Sequence, residues 1–220
     1  MINYQNDISN YKKSPESKWV EKILNNIKDN KLNLENVENI NEILEALISC
    51  DYLDQLTELN LSGNNIEEKG IRLLLMCTFL TNLKSLDLSF NNLGSKAFKY
   101  LSKCTFLTNL TNINLSINSI GSLDLLYKCN FLRNLKSIDL SINDIGEKGM
   151  SFISNCAFLR NLTSINLSHN SIGDKGMSYL KDCKFLNNLT DINISNNKIE
   201  HEDRLKSDLI KSFAKLSFSM

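Results

Sequence analysis

Little in this 220-residue sequence points to chemistry, to a charged partner or to a membrane. Lysine plus arginine and aspartate plus glutamate balance at 25 each. Bulk charge therefore gives no reason to expect a nucleic acid or an anionic membrane as partner. No apolar run approaches the roughly 20 residues that span a bilayer, so membrane insertion is not expected. The N-terminal stretch MINYQNDISNYKKSPESKW is polar throughout, unlike a secretory leader. His169 and His201 are the only imidazoles. There is no glycine-rich phosphate loop, no Cys-x-x-Cys and no Cys/His cluster. No catalytic residue, metal site or cofactor is expected.

What is present is one eleven-residue phrase, six times over. It reads LTELNLSGNNI from Leu56, LKSLDLSFNNL from Leu83, LTNINLSINSI from Leu110, LKSIDLSINDI from Leu135, LTSINLSHNSI from Leu162 and LTDINISNNKI from Leu189. Successive starts lie 27, 27, 25, 27 and 27 residues apart. A fixed period of this size, with the pattern L-x-x-L-x-L-x-x-N-x-L, resembles the leucine-rich repeat. Repeats stack into one array without separate cores, which suits a surface for holding another protein.

Six cysteines recur with the same period: Cys50, Cys77, Cys104, Cys129, Cys156 and Cys183. A small residue repeated at one place in a stacked array reads as a core column of free thiols. Helices stack about 8–10 Å apart, beyond the roughly 7 Å Cα limit for a disulfide. Free thiols in this number favour a reducing compartment. Asn-x-Ser sequons at Asn60, Asn114, Asn166 and Asn193 fall on strands, where glycans would crowd the face, which argues against a eukaryotic secretory route. The expected location is cytoplasmic.

Residues 1–13 carry no periodicity and read as a loose arm. Ser14-Pro15 reads as an N-cap with proline at the first helical position. The helix that follows presents Trp19, Val20, Ile23, Leu24 and Ile27 on one face, so 1–30 is expected to be an arm and a capping helix. Leu34 precedes Cys50 by 16 residues, as Leu61 precedes Cys77. Leu32-Asn33-Leu34 is thus expected to be the strand of a degenerate repeat, with Val37 in place of asparagine. Residues 31–200 then hold one degenerate and six full repeats, giving seven strands. The second half of each repeat has helical spacing, as in Ala97, Phe98 and Leu101. Gly70, Gly149 and Gly176 share a position where a helix is expected to approach its neighbour closely. The repeat from Leu110 is two residues short, which predicts a shorter or displaced helix. Residues 201–220, with Leu205, Leu209, Ile210, Phe213 and Leu216 at helical spacing, predict a C-terminal capping helix.

Repeats of this length with helical second halves resemble the ribonuclease-inhibitor-like subclass of leucine-rich repeats over about residues 30–200. The asparagine-rich wording is similar to leucine-rich-repeat effectors of intracellular bacteria such as Legionella. The fold this implies is an α/β solenoid, a horseshoe with a parallel sheet on the concave side and helices on the convex side.

Within the phrase, the first, fourth, sixth and eleventh positions are core. The ninth is asparagine in all six repeats, from Asn64 to Asn197, and reads as a ladder that satisfies backbone groups. The seventh is serine and also reads as structural. The third (Glu58, Ser85, Asn112, Ser137, Ser164, Asp191) and fifth (Asn60, Asp87, Asn114, Asp139, Asn166, Asn193) should point out from the concave sheet. Neither column contains lysine or arginine, so that face reads as mildly acidic and repels nucleic acid. The eighth reads Gly63, Phe90, Ile117, Ile142, His169, Asn196. Its three consecutive large apolar residues either form an exposed stripe, the usual mark of a binding site, or fold back onto the loop and are buried.

The function expected is protein binding. Phe90, Ile117, Ile142 and His169 form the stripe, and Glu58, Asp87, Asn114, Asp139, Asn166 and Asp191 the polar floor. The partner is a folded protein with a neutral-to-basic surface. Resemblance to ribonuclease-inhibitor-like proteins implies that a partner enzyme could be inhibited stoichiometrically by covering its active site. In the bacterial-effector setting that enzyme is a host protein or another effector, and delivery into host cytosol needs no classical signal peptide. The alternative is regulation of a small GTPase, by resemblance to the repeat proteins that activate Ran.

Overall fold

The computed structural model describes residues 17–213 and 216–218. The arm 1–13 and the Ser14-Pro15 cap lie outside them. The first element, α1 (Ser17–Asn25), buries Val20 and Ile23 and lays Trp19 and Leu24 against the core. Ile27 departs from expectation. It leaves the helix and enters a strand, β1 (Ile27–Lys28), antiparallel to β2 (Lys31–Asn33). The two turn residues Asp29 and Asn30 have φ of 52° and 61°. Two positive φ values make a type I′ turn, whose twist matches the flanking strands. Helical spacing carried Ile27 into the helix by pattern alone, but this turn ends it.

From β2 onward the chain repeats strand, turn and helix. The strands are β3 (Glu58–Asn60), β4 (Ser85–Asp87), β5 (Asn112–Asn114), β6 (Ser137–Asp139), β7 (Ser164–Asn166), β8 (Asp191–Asn193) and β9 (Ser217–Phe218). They form one open sheet in sequence order, parallel from β2 to β9. Equivalent phrase positions face each other, as Leu59 with Leu86 and Leu86 with Ile113. The degenerate repeat is a true strand one residue earlier than expected, with Lys31 opposite Glu58. The hairpin strand β1 and the final β9 raise the sheet from the expected seven strands to nine among the described residues.

The convex layer is uneven. It holds α2 (Ile40–Ile48), α3 (Glu67–Leu74), the short α4 (Ala97–Leu101), α5 (Gly146–Ile153), α6 (Gly173–Lys181) and α7 (Glu202–Ser212). The short repeat from Leu110 has no α-helix at all. Two 3-10 turns, Leu126–Lys128 and Asn130–Leu132, replace it. A tighter winding spans the gap with fewer residues, and Leu123 and Leu126 still reach the core. Leu209 in α7 and Phe213, the extended residue just after it, are buried, whereas Ile210 is 51% exposed instead of covered.

One core runs the length of the array, from Val20 to Phe213, and includes all six cysteines as free buried thiols. Burial pushes the thiols of Cys77, Cys104, Cys129 and Cys156 up to about 12. The repeated glycines are explained differently from expectation. A Cβ on Gly70, Gly149 or Gly176 would first meet the isoleucine four residues earlier in its own repeat, at 2.4, 1.8 and 2.4 Å. Of the three, Gly176 alone also faces a neighbouring helix backbone, at Glu147 Cα, 3.2 Å away.

Candidate functional site

The rim that follows the strands is built by two hydrogen-bonded columns. In the first, the side chain of each ninth-position asparagine ties its own repeat to the preceding one. Asn118 donates from Nδ2 to Leu88, Leu115 and Ser116 carbonyls at 2.8–3.0 Å, and its Oδ1 accepts from Asn91 and Leu93 N–H at 3.1 and 3.3 Å. Asn91, Asn143, Asn170 and Asn197 repeat the pattern and are all buried. The ladder starts at Asn64, whose Oδ1 accepts from Val37 N–H at 2.8 Å. Valine suffices there, because no earlier repeat requires its side chain to bond.

The second column corrects the reading of the fifth position. Its side chains are half exposed, yet their Oδ1 atoms are already committed. Asp87, Asn114, Asp139 and Asn166 each accept from the backbone N–H and the hydroxyl of the serine two residues on, at 2.6–3.1 Å. Asn114 and Asn166 also donate to the Oδ2 of Asp87 and Asp139, at 3.1 and 2.9 Å. This is an Asx turn in every repeat. It explains both the serine column and the restriction of the fifth position to Asn and Asp.

That turn throws the eighth residue into left-handed backbone. Phe90, Ile117, Ile142 and His169 have φ of 57°, 55°, 54° and 56°. Glycine or asparagine occupies this region easily, and a β-branched residue there is a genuine outlier. The ends of the column use the easy residues, Gly63 and Asn196, whereas the middle uses phenylalanine, isoleucine and histidine. Phe90 is 62% exposed, Ile117 39% and Ile142 46%, so the side chains do not fold back onto the loop. His169 is exposed, with Asn196 Nδ2 3.0 Å from its Nε2. Between Phe90 and Ile117, and closed by Gly63, Asn65, Asn92 and Ser119, lies a shallow groove of about 270 Å³.

The third column is also altered by the degenerate repeat. Lys31 Nζ pairs with Glu58 Oε1 at 2.6 Å, so the acid at this end of the floor is balanced. The absence of lysine and arginine holds for the six full repeats and not for the whole sheet. Asp191 accepts from Ser164 Oγ at 3.0 Å. The negative groups beside the stripe are thus Asp87, Asp139 and, on the tenth position, Asp144.

Two features were hidden from the sequence. A second asparagine ladder precedes the strands: Asn82, Asn109, Asn134, Asn161 and Asn188 donate to carbonyls of the preceding repeat at 2.8–3.0 Å. Its signal, an asparagine just before the first leucine, was present but lay outside the phrase. The other is a cluster on the convex side. His201 Nδ1 lies 2.8 Å from Asp174 Oδ2, and Asp174 Oδ1 accepts from Glu200 N–H at 3.0 Å. These bonds, the His201 one foremost, hold the Asp174 carboxyl below its usual range. Ligand atoms of Asp174, Glu200 and His201 lie within 4.8 Å of one another, but Glu200 and His201 are exposed. The cluster joins the first turn of α6 to the start of α7. Among the described residues, no helix is long and apolar enough to cross a membrane.

A family model described as Leucine Rich repeat matches residues 56–75, 79–102, 131–154 and 158–181. The unmatched interval between the second and third segments, 103–130, holds most of the repeat that lacks an α-helix. No curated protein sequence matches the chain. Among solved structures, the chain is similar to internalin C2 of Listeria monocytogenes, at 19% identity and a TM-score of 0.54, covering 85% of this chain and 77% of that one. It is also similar to an internalin (InlF) of the same organism, at 17% identity and a TM-score of 0.43, over 86% and 67% of the two chains. Human 5T4 gives 20% identity and a TM-score of 0.44, over 75% and 69%. The fold is a leucine-rich-repeat solenoid with an open parallel sheet.

Proposed function

We propose that the chain is a non-catalytic protein-binding module that holds a folded partner through the Phe90, Ile117, Ile142 and His169 stripe and the adjoining concave sheet. One observation carries this reading. Three consecutive repeats place large apolar side chains, 39–62% exposed, on backbone that favours glycine or asparagine. A scaffold selected for stability alone gains no net stability from that choice. Left-handed non-glycine residues cost on the order of 1–3 kcal/mol each, and exposed apolar contiguity costs solubility. Both are explained if the stripe is covered by a partner. Phe90, the most exposed, is the anchor, as aromatic residues dominate many interfaces.

Asp87, Asp139 and Asp144 beside the stripe favour a partner whose surface around the apolar contact is neutral to basic. Helices on the convex side of most repeats support the ribonuclease-inhibitor-like subclass. If the partner is an enzyme, a solenoid seated on it inhibits by covering its active site, in host or bacterial-effector settings alike. A partner enzyme that keeps full activity when saturated contradicts that extension. Regulation of a small GTPase draws no support from the rim, which offers phenylalanine, isoleucine and histidine where an arginine would stabilise the transition state. The reading is tested by affinity capture on the immobilised chain, followed by competition with wild type or Phe90→Asp. Wild type should release the captured protein, and Phe90→Asp should release at least tenfold less.

A further inference from the structure

The rim at the other end of the strands has the opposite character. Five segments lead into β4–β8: residues 78–84, 105–111, 130–136, 157–163 and 184–190. Together they contain five cations, Lys84, Arg133, Lys136, Arg160 and Lys184, and not one aspartate or glutamate. All five are exposed. None has an ion-pair partner among the described residues, whereas Lys31, Lys69, Lys96, Lys175, Lys181 and Lys211 each have one. A groove of about 740 Å³ runs along this rim past Lys84, Thr111, Lys136 and Thr163. Its floor is held by the second asparagine ladder. Each Asn109, Asn134, Asn161 and Asn188 spends Nδ2 on a backbone carbonyl. Their Oδ1 atoms have no hydrogen-bond partner among the described residues, so they stay available as acceptors.

We infer that this groove binds an extended acidic segment of a protein partner, lying across the strands. The register sets the spacing. Thr111 N–H donates to the Lys84 carbonyl and Lys136 N–H to the Thr111 carbonyl, at 2.9 and 2.8 Å, so the two lysines stand two strands apart. At about 4.8 Å per strand their separation is about 10 Å. A segment in the extended polyproline II conformation rises about 3.1 Å per residue with about three residues per turn, so carboxylates at i and i+3 lie on one side about 9 Å apart and match it. Open asparagine acceptors between the lysines suit the backbone N–H groups of such a segment and would repel phosphate oxygens. This selects a peptide over a nucleic acid. The inference uses no residue of the apolar stripe and stands or falls separately from it.

The test is fluorescence anisotropy with a labelled peptide carrying glutamate at every third position, and a permuted peptide of the same composition with the glutamates adjacent. At about 50 mM salt, where screening is weak, the spaced peptide should bind at least fivefold more tightly than the permuted one. Lys84→Glu with Lys136→Glu should weaken it at least tenfold, and Lys84→Gln with Lys136→Gln gives the same direction with less disturbance. Phe90→Asp should leave it unchanged. Absence of binding, equal binding of the two peptides, or tighter binding of a single-stranded oligonucleotide overturns the inference.

Discussion

Replacing Ile117 with asparagine separates a side chain that serves the surface from one that serves the scaffold. Ile117 sits at φ 55° and is 39% exposed. Holding an L residue in left-handed backbone costs about 1–2 kcal/mol, and asparagine tolerates that region several-fold better than most residues. Asparagine relieves most of this term, as Asn196 does in the last repeat. Against it stands lost burial. Full burial of isoleucine is worth about 1.5–3 kcal/mol, and some three-fifths of Ile117 is covered, so about 1–2 kcal/mol is forfeited. The two terms offset, and Ile117→Asn should change stability by less than about 1 kcal/mol. Ile113, on the strand of the same repeat, is 4% exposed. Ile113→Asn loses the whole side chain and buries an amide without a designed partner, a loss of about 4 kcal/mol or more. Urea unfolding followed by far-UV circular dichroism gives both values from midpoints, provided the slope is unchanged. If Ile117→Asn cost 3 kcal/mol or more, Ile117 would belong to the scaffold and the reasoning about the stripe would be wrong.

Two further outcomes test the frame that presents the rim. Asn118→Ala removes five hydrogen bonds and strands several buried backbone groups at once. At about 1–3 kcal/mol for each unsatisfied group, the expected loss is at least about 3 kcal/mol in thermal or urea unfolding, and a loss below 1 kcal/mol would deny the ladder its role. The thiols set the alkaline limit. The folded state holds Cys77, Cys104, Cys129 and Cys156 at about 12, above the ordinary thiol value. Above about pH 9 the unfolded chain therefore binds fewer protons than the folded one. Their contribution is complete below about pH 9 and is lost as pH rises towards 12, each thiol weakening stability by up to about 1.4 kcal/mol per pH unit. Thiol titration should find all six cysteines unreactive in the native chain at pH 8 and all six reactive in denaturant; ready native labelling would contradict their burial.

The repeat made most of the fold legible, because a residue recurring at one place in a stacked array meets the same surroundings each time. The asparagine column, the cysteine column and the strand at Leu32 were all readable on that ground. What escaped depended on local geometry that residue type does not announce. Ile27 fits the helical face of Trp19 and Ile23, yet Asp29 and Asn30 turn the chain into a hairpin. Asn82 and its equivalents lay one residue outside the phrase. The fifth column looked free because Asp and Asn alternate there, and both types accept the same serine bonds. The stripe was visible as a run of apolar residues. Its left-handed backbone was not, since phenylalanine and isoleucine are poor indicators of positive φ. That mismatch between residue and conformation is the strongest sign that the column answers to something other than folding.

The central claim is that a partner sits on the stripe. A photo-crosslinking side chain placed at Phe90 tests it most directly, with the same group at Tyr127, which is 56% exposed on the 3-10 turn of the convex side, as control. After capture of the partner and irradiation, position 90 should crosslink it in high yield and position 127 should not. Crosslinking from 127 with none from 90 would place the partner on the convex side and contradict the account.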